Sequence, residues 1–299
     1  MTANHLQAVV FALMGALLLS SGAAEPIAVE PPPFHALTFN IRYDNPADGE
    51  NGWTRRRDGV AKLIAERKAD VAGLQEVLAS QLDDLRERLP GYEFVGVGRD
   101  DGKRKGEFSP LLVRKEAFEV VSSGTFWLSL TPDKPGSKGW DAALPRVCTW
   151  AHVRSRHSGR GDFLAASTHF DHRGQQARLE SAKVIREQLA QIQKAKKISG
   201  GLILMGDFNC TERDAPYAAL LGKDEKAATT PAWIDAYHAD KIVREGPNST
   251  WNGFKEIVPG QRIDFIFCLG LRPQRHEIID ARIGDRFLSD HLPVLLVVD

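Results

Sequence analysis

From Phe34 onward the chain is a succession of short apolar runs, and most of them end on a carboxylate, an amide or an imidazole. Residues 202–205 run straight into Gly206-Asp207-Phe208-Asn209; 71–74 close on Gln75-Glu76; 163–168 close on His169-Phe170-Asp171. Apolar runs this short, bounded by turn residues, are buried strands, because a buried helix needs roughly ten residues or more. Further strands are expected at 36–41, 93–97, 111–114, 118–127, 147–153, 264–268 and 293–298. Three stretches carry helical spacing instead. Residues 55–68 place Val60, Leu63 and Ile64 on one face, and 175–194 do the same with Ala177, Ala182, Ile185 and Leu189. A helix at 80–89 is stopped by Pro90-Gly91. Strands interleaved with a few amphipathic helices predict an α/β protein with sheet inside and helices outside.

The first thirty residues obey a different rule. Residues 9–20 are almost wholly apolar and are followed by Ser21-Gly22-Ala23-Ala24. An apolar run of this length ending in small residues reads as a cleaved secretory leader over 1–24, too short for a span of ~20 residues. No Lys or Arg precedes the run, which is unusual for a leader. Export to the periplasm or the medium follows from this reading, with no transmembrane segment in the mature chain. Residues 25–33 are a Pro-rich link, and 34–299 form one domain. Lys plus Arg and Asp plus Glu number 39 each, so the balance that marks a general nucleic-acid binder is missing. Cys148, Cys210 and Cys268 have no metal-type spacing and lie in or beside apolar runs. They read as buried thiols, with the choice of a disulfide pair left open.

Each polar run end has a bland reading and a chemical one. Asp207-x-Asn209 after a buried strand places two polar side chains on one face, because strand side chains alternate. It is equally an Asx turn. Glu76 suits Mg²⁺, a hard ion that takes oxygen ligands, or the start of the next helix. His291, in Ser289-Asp290-His291, suits phosphate chemistry near neutral pH or a structural role at the entry to the last strand. Arg146, just before the strand at 147, can hold phosphate through its fork of donors. The chain shows no nucleophile-elbow serine, no phosphate-binding Walker loop and no HExxH.

The order of these motifs resembles the endonuclease/exonuclease/phosphatase superfamily. The match lies in Asn40 (TFNIRYD), Glu76 (LQEV), His169 (THFD), Asp207 with Asn209 (GDFN), Asp264 (RIDF) and Asp290-His291 (SDH), from about residue 36 to 298. The resemblance implies a four-layer α/β sandwich, two mainly antiparallel sheets face to face with helices outside. It implies metal ligation by Glu76, with Asn40 beside it and Asp290 as a further carboxylate. Asp207 corresponds to the group that activates water, Asn209 to a phosphate-oxygen ligand, and His291 to the imidazole on the scissile phosphate, oriented by Asp264. His169 corresponds to a second catalytic histidine. Arg146 and Trp251 are expected to contact substrate.

Two departures narrow the group. Arg42 stands where an apurinic endonuclease usually has Asp, and Gln261-Arg262-Ile263-Asp264 replaces the 5-phosphatase signature. The segments around Asn40, Gly139 and His169-Phe-Asp-His172 are similar to a bacterial secreted group. The expected activity is Mg²⁺-dependent hydrolysis of a phosphate ester, with Mn²⁺ as a substitute ion. A phosphodiester is the first expectation and nucleic acid one candidate substrate. A sugar or inositol phosphomonoester, or a sphingomyelin-type lipid, is the alternative. A phosphate-binding module without catalysis is the non-enzyme alternative. The chain is expected to be a monomer.

Overall fold

The positions along each strand fall into two sets that face different layers. The structure, a computed structural model, describes residues 32–157, 159–222 and 233–299. The leader read at 1–24 and the 25–31 part of the Pro-rich link lie outside the described residues. Seven strands form one sheet in the spatial order Val243–Glu245, Pro273–Ile278, Val294–Val298, Phe34–Asn40, Val71–Gln75, Leu111–Arg114 and Tyr92–Val95. Six form a second, in the order Phe118–Trp127, Val147–Ser155, Phe163–His169, Leu202–Asp207, Asp264–Leu269 and Ile234–Asp235. Most neighbours are antiparallel. The parallel pairs include Phe34–Asn40 with Val71–Gln75, and Phe163–His169 with Leu202–Asp207.

Three apolar layers give the stacking. Ala36, Val71, Val113, Ala165, Ile203, Met205, Ile266 and Leu296 pack between the sheets. Leu37, Phe39, Ala72 and Leu74 face outward onto Val60, Ile64, Leu82 and Leu85 of helices Trp53–Glu66 and Ala79–Arg88. Leu164, Ala166, Leu202, Leu204, Phe265 and Phe267 face outward on the other side. They meet Ile185 and Leu189 of helix Gln175–Ala195 and Tyr217 and Leu220 of helix Ala215–Leu220. The order is helix, sheet, sheet, helix, the sandwich that the motif resemblance implies.

The strand and helix positions agree with the sequence expectation to within a few residues, and the exceptions have local reasons. Helix Ala215–Leu220 was not anticipated, because six residues are too few to display a helical period. Strand Pro273–Ile278 (PQRHEI) was missed because it opens on Pro and carries charge. Strands Ile234–Asp235, Val243–Glu245, Arg282–Ile283 and Arg286–Phe287 are also outside the expected set, each too short to display a period. All three cysteines are free and buried.

Candidate active site

The inter-sheet face of four strands changes character at one end. Along Phe34–Asn40 the inward positions are Phe34, Ala36, Thr38 and then Asn40. Along Phe163–His169 they end in Ser167 and His169, along Leu202–Asp207 in Met205 and Asp207, and on Asp264–Leu269 they begin with Asp264. The register sets them side by side: His169 pairs with Asp207, and Asp264 pairs with Asp207 across the next ladder. The same period-two rule that builds the core therefore delivers a row of polar groups at its edge.

Asp207 is the hub. Its Oδ2 accepts from Asn40 Nδ2 at 2.9 Å and lies 3.7 Å from His291 Nε2 and 3.4 Å from His169 Nε2. His291 Nδ1 meets Asp264 Oδ2 at 2.9 Å, so the imidazole stands between two carboxylates. Burial opposes charge on this ring, but Asp264 and Asp207 outweigh it and raise the His291 pKa well above the ordinary range. An imidazolium at neutral pH is the result. Burial, together with the nearby Asp264, lifts Asp207 to about 7 against the pull of His291. A carboxylate poised there is matched to accept a proton from water near neutral pH.

His169 is the opposite case. Burial, and then the guanidinium charges of Arg146 and Arg99, drive its pKa well below the ordinary value, so the ring is neutral. Asn209 Nδ2 donates to its Nε2 at 3.0 Å, which leaves the ring proton on Nδ1. The Asn209 amide also donates to the Phe170 carbonyl at 3.1 Å. Asn209 reaches the site by a route other than strand alternation. The strand ends at Asp207, Asn209 has φ +46°, and its backbone N–H donates to Asp207 Oδ1 at 2.9 Å. The Asx turn and the functional placement are the same feature, because the left-handed residue turns the side chain back toward His169.

Glu76 follows its strand with φ +60° and so leaves the alternation too. Its Oε1 accepts from Asn40 Nδ2 at 3.1 Å and its Oε2 from the Tyr43 N–H at 3.2 Å. The Asn40 Oδ1 accepts from the Arg42 N–H, so the amide group of Asn40 spaces Glu76 from Asp207. Asp290 approaches Glu76 through a shared neighbour, Arg42, whose Nη1 is 3.7 Å from Asp290 Oδ2 and 3.9 Å from Glu76 Oε2. Ser289 Oγ ties this segment to the first sheet by donating to the Asn40 carbonyl at 2.7 Å. The loop 249–253 secures it from the other side. Asn252 Nδ2 donates to the Ser289 carbonyl, and Thr250 Oγ1 accepts from the Asp264 N–H. Trp251 bridges to His291 and is 37% exposed, which puts an indole face on the rim.

Arg146 is buried, donates from Nε to Asp171 Oδ2 at 3.4 Å, and has Nη2 3.0 Å from His172 Nδ1, while Nη1 has no partner among the described residues. Arg99 and Glu107, absent from the sequence reading, form a two-bonded pair at 2.7 and 2.9 Å, and Glu107 lies 3.9 Å from His169 Nδ1. They come from the loop around Asp100–Lys105, whose charge run reads as a solvated turn, and nothing in its spacing marks the two residues that fold inward.

Residues 37–291 match the model of the endonuclease/exonuclease/phosphatase family. The chain belongs to that family. It is also similar to an endonuclease/exonuclease/phosphatase of Bacteroides vulgatus, at 38% identity and TM-score 0.81, over 89% of this chain and 98% of that one. A mannosyl-6-phosphatase of Bacteroides thetaiotaomicron is 35% identical with TM-score 0.80, over 89% and 99% of the two chains. Nocturnin of Drosophila melanogaster is 26% identical over 81% of this chain, which spans 39% of Nocturnin's length. The sandwich is thus that of a phosphoesterase family.

Among the described residues, two groups of side chains could hold a cation. Asp207, Asp264 and His291 offer ligand atoms within 4.8 Å of one another. His291 there is already committed through Nδ1 to Asp264 and flanked by Asp207, so this trio is better described as an imidazolium between carboxylates. Glu76 and Asp290 present carboxylate oxygens that are partly accessible, with no sulfur donor, and this set fits a hard divalent ion.

Proposed function

We propose that this chain hydrolyses a phosphate ester by attack of water, with a divalent ion held by Glu76 and Asp290 and with Asn40 spacing Glu76 from Asp207. The observation that carries the reading is Asp207 set between Asn40, His169 and a His291 backed by Asp264. A bound Mg²⁺ or Mn²⁺ would neutralise part of the charge on the phosphate oxygens. Asp207 takes the proton of the attacking water. The His291 imidazolium stabilises charge developing on a phosphate oxygen, and Asp264 holds the ring in place. Asn209 presents its amide beside the same oxygens, and its bonds to the Phe170 carbonyl and His169 fix its direction. Arg146 supplies a cation at the wall, and Trp251 an apolar face for the group beyond the phosphate. Donors fixed in a site largely shielded from water need no rearrangement as charge develops, which is why such groups stabilise a transition state.

For the substrate we favour a phosphomonoester of a sugar over the phosphodiester. The support is the 35% identity, over nearly the whole of both chains, to a protein described as a mannosyl-6-phosphatase. Export of the mature chain by the 1–24 leader belongs to the same proposal. The deciding assay offers p-nitrophenyl phosphate, bis-p-nitrophenyl phosphate and hexose 6-phosphates in Mg²⁺, in Mn²⁺ and in EDTA. Metal-dependent release of phosphate from monoesters, lost in EDTA, is the expected result. Release from the diester alone moves the substrate to a nucleic acid or lipid. No metal-dependent release from any ester, including plasmid DNA, RNA and sphingomyelin, overturns the enzymatic reading in favour of a binding module.

A further inference from the structure

Arg42 is held from three directions and aims one nitrogen at the Glu76–Asp290 pair. Its Nε and Nη2 donate to the two oxygens of Asp48 at 3.0 and 3.1 Å, a fork that fixes the plane of the guanidinium. Asp48 is itself held by Asn45 Nδ2 at 3.2 Å on the 3₁₀ turn Pro46–Asn51. The Tyr43 ring lies 4.6 Å beneath the guanidinium carbon. The Arg42 carbonyl accepts from Gln81 Nε2 at 3.0 Å and from Arg56 Nη2 at 3.3 Å. The backbone is in the left-handed region, φ +56°, a conformation that a side chain makes costly and that these bonds hold in place. The remaining corner, Nη1, faces both carboxylates at 3.7 and 3.9 Å. Those distances are too long for hydrogen bonds and well inside the range of strong Coulombic attraction.

We propose that Arg42 is a tethered counter-cation of the Glu76–Asp290 pair. It holds the two carboxylates together when no ion is present and weakens the grip on a divalent ion when one binds, so that the ion exchanges readily. The inference rests on the reading that the ion uses Glu76 and Asp290. A fixed positive charge within about 4 Å of both ligands repels an incoming cation and also removes the carboxylate–carboxylate repulsion that would otherwise draw one in. Both effects act in the same direction.

The test is calorimetric titration of the full chain with MnCl₂, with thermal unfolding in EDTA alongside. Arg42→Gln should bind Mn²⁺ about 10-fold more tightly than the native chain. It should also melt lower in EDTA and recover in Mn²⁺, through ordinary ligand linkage. Arg42→Lys keeps a charge and loses the Asp48 fork; its Mn²⁺ affinity should stay near native. If the fork alone mattered, the Lys and Gln variants would change alike. Unchanged or weaker Mn²⁺ binding by a folded Arg42→Gln overturns the proposal while leaving the metal site standing. Mn²⁺ binding that survives Glu76→Gln places the ion elsewhere and overturns both, as does absence of binding in native chain and variants alike.

Discussion

Asp207 and Asp264 are both buried acids one strand apart, yet their surroundings assign them different work. Asp264 has its Oδ2 spent on His291 and acts through that ring, while Asp207 accepts from the Asn40 amide and the Asn209 N–H, lies beside both imidazoles, and is lifted to about 7. Loss of the Asp207 charge should therefore be felt in the chemical step. Asp207→Asn preserves shape and the Asn40 contact region, and His291→Ala removes the imidazolium. Each should lower kcat by at least about 10²-fold, since a positioned general base or a preorganised charge contributes on that scale. Near-native near-UV circular dichroism must accompany the loss; normal turnover in a folded variant would remove the assigned role. The sequence named both residues from their motifs. The motif resemblance implied the split between a water-activating Asp207 and a His291-orienting Asp264; the contacts behind it join Asp264 and Asp207 to partners 27 and 167 residues away in the chain, and no local spacing shows them.

At the scale of elements, the site depends on how closely the sheets approach. Gly73, on strand Val71–Gln75, lies where a Cβ would sit 2.9 Å from Ser167 Oγ and 3.2 Å from Met205 Cβ, both on the opposite sheet. Two positions on, Gln75 Nε2 donates to Ser167 Oγ at 3.3 Å and closes the polar end of the layer. A branched side chain at Gly73 has no space unless the sheets part. Gly73→Val should cost about 1–3 kcal/mol of stability, the usual penalty of overpacking. A urea midpoint unchanged from the native protein would show that the layers can yield there. The glycine was visible in the sequence, but its purpose was not, since a glycine in a strand has several uses and only the facing sheet selects among them.

Across the whole molecule, His276 joins stability to pH. It lies on strand Pro273–Ile278, is 1% exposed, and neither ring nitrogen has a partner among the described residues. The Tyr237 ring meets it edge-on at 5.1 Å. Burial pushes its pKa down to about 4; Asp235 opposes that shift, whereas Arg262 and Arg244 add to it. The unfolded chain takes up this proton near pH 6.5 and the folded one near 4, so the unfolded state binds more protons between those values. Stability is then fully present above pH 6.5 and falls as pH drops through that window. The loss from pH 7 to pH 5 is about 2 kcal/mol. Denaturation by urea of the native chain and of His276→Phe at both pH values should show it as the difference between the two proteins' pH dependence. The same pH dependence in the native chain and in His276→Phe would mean that the ring finds a partner when charged; the comparison is needed because Asp207, lifted to about 7, contributes with the opposite sign over this window.

What the sequence determined by itself was periodic or local. The short apolar runs at 36–41, 163–168 and 202–205 marked buried strands, and the motifs at the run ends named Asn40, Glu76, His169, Asp207, Asn209, Asp264 and His291. Those signals survive in one dimension because hydrophobic burial fixes a strand's two faces before any partner is chosen. What only the tertiary structure decided was pairing: His169 and Asp264 on either side of Asp207, Arg42 between Glu76 and Asp290, and Arg99 with Glu107 folded toward His169. Charge and protonation depend on distances of a few ångströms between residues far apart in the chain, and no spacing along the chain encodes them.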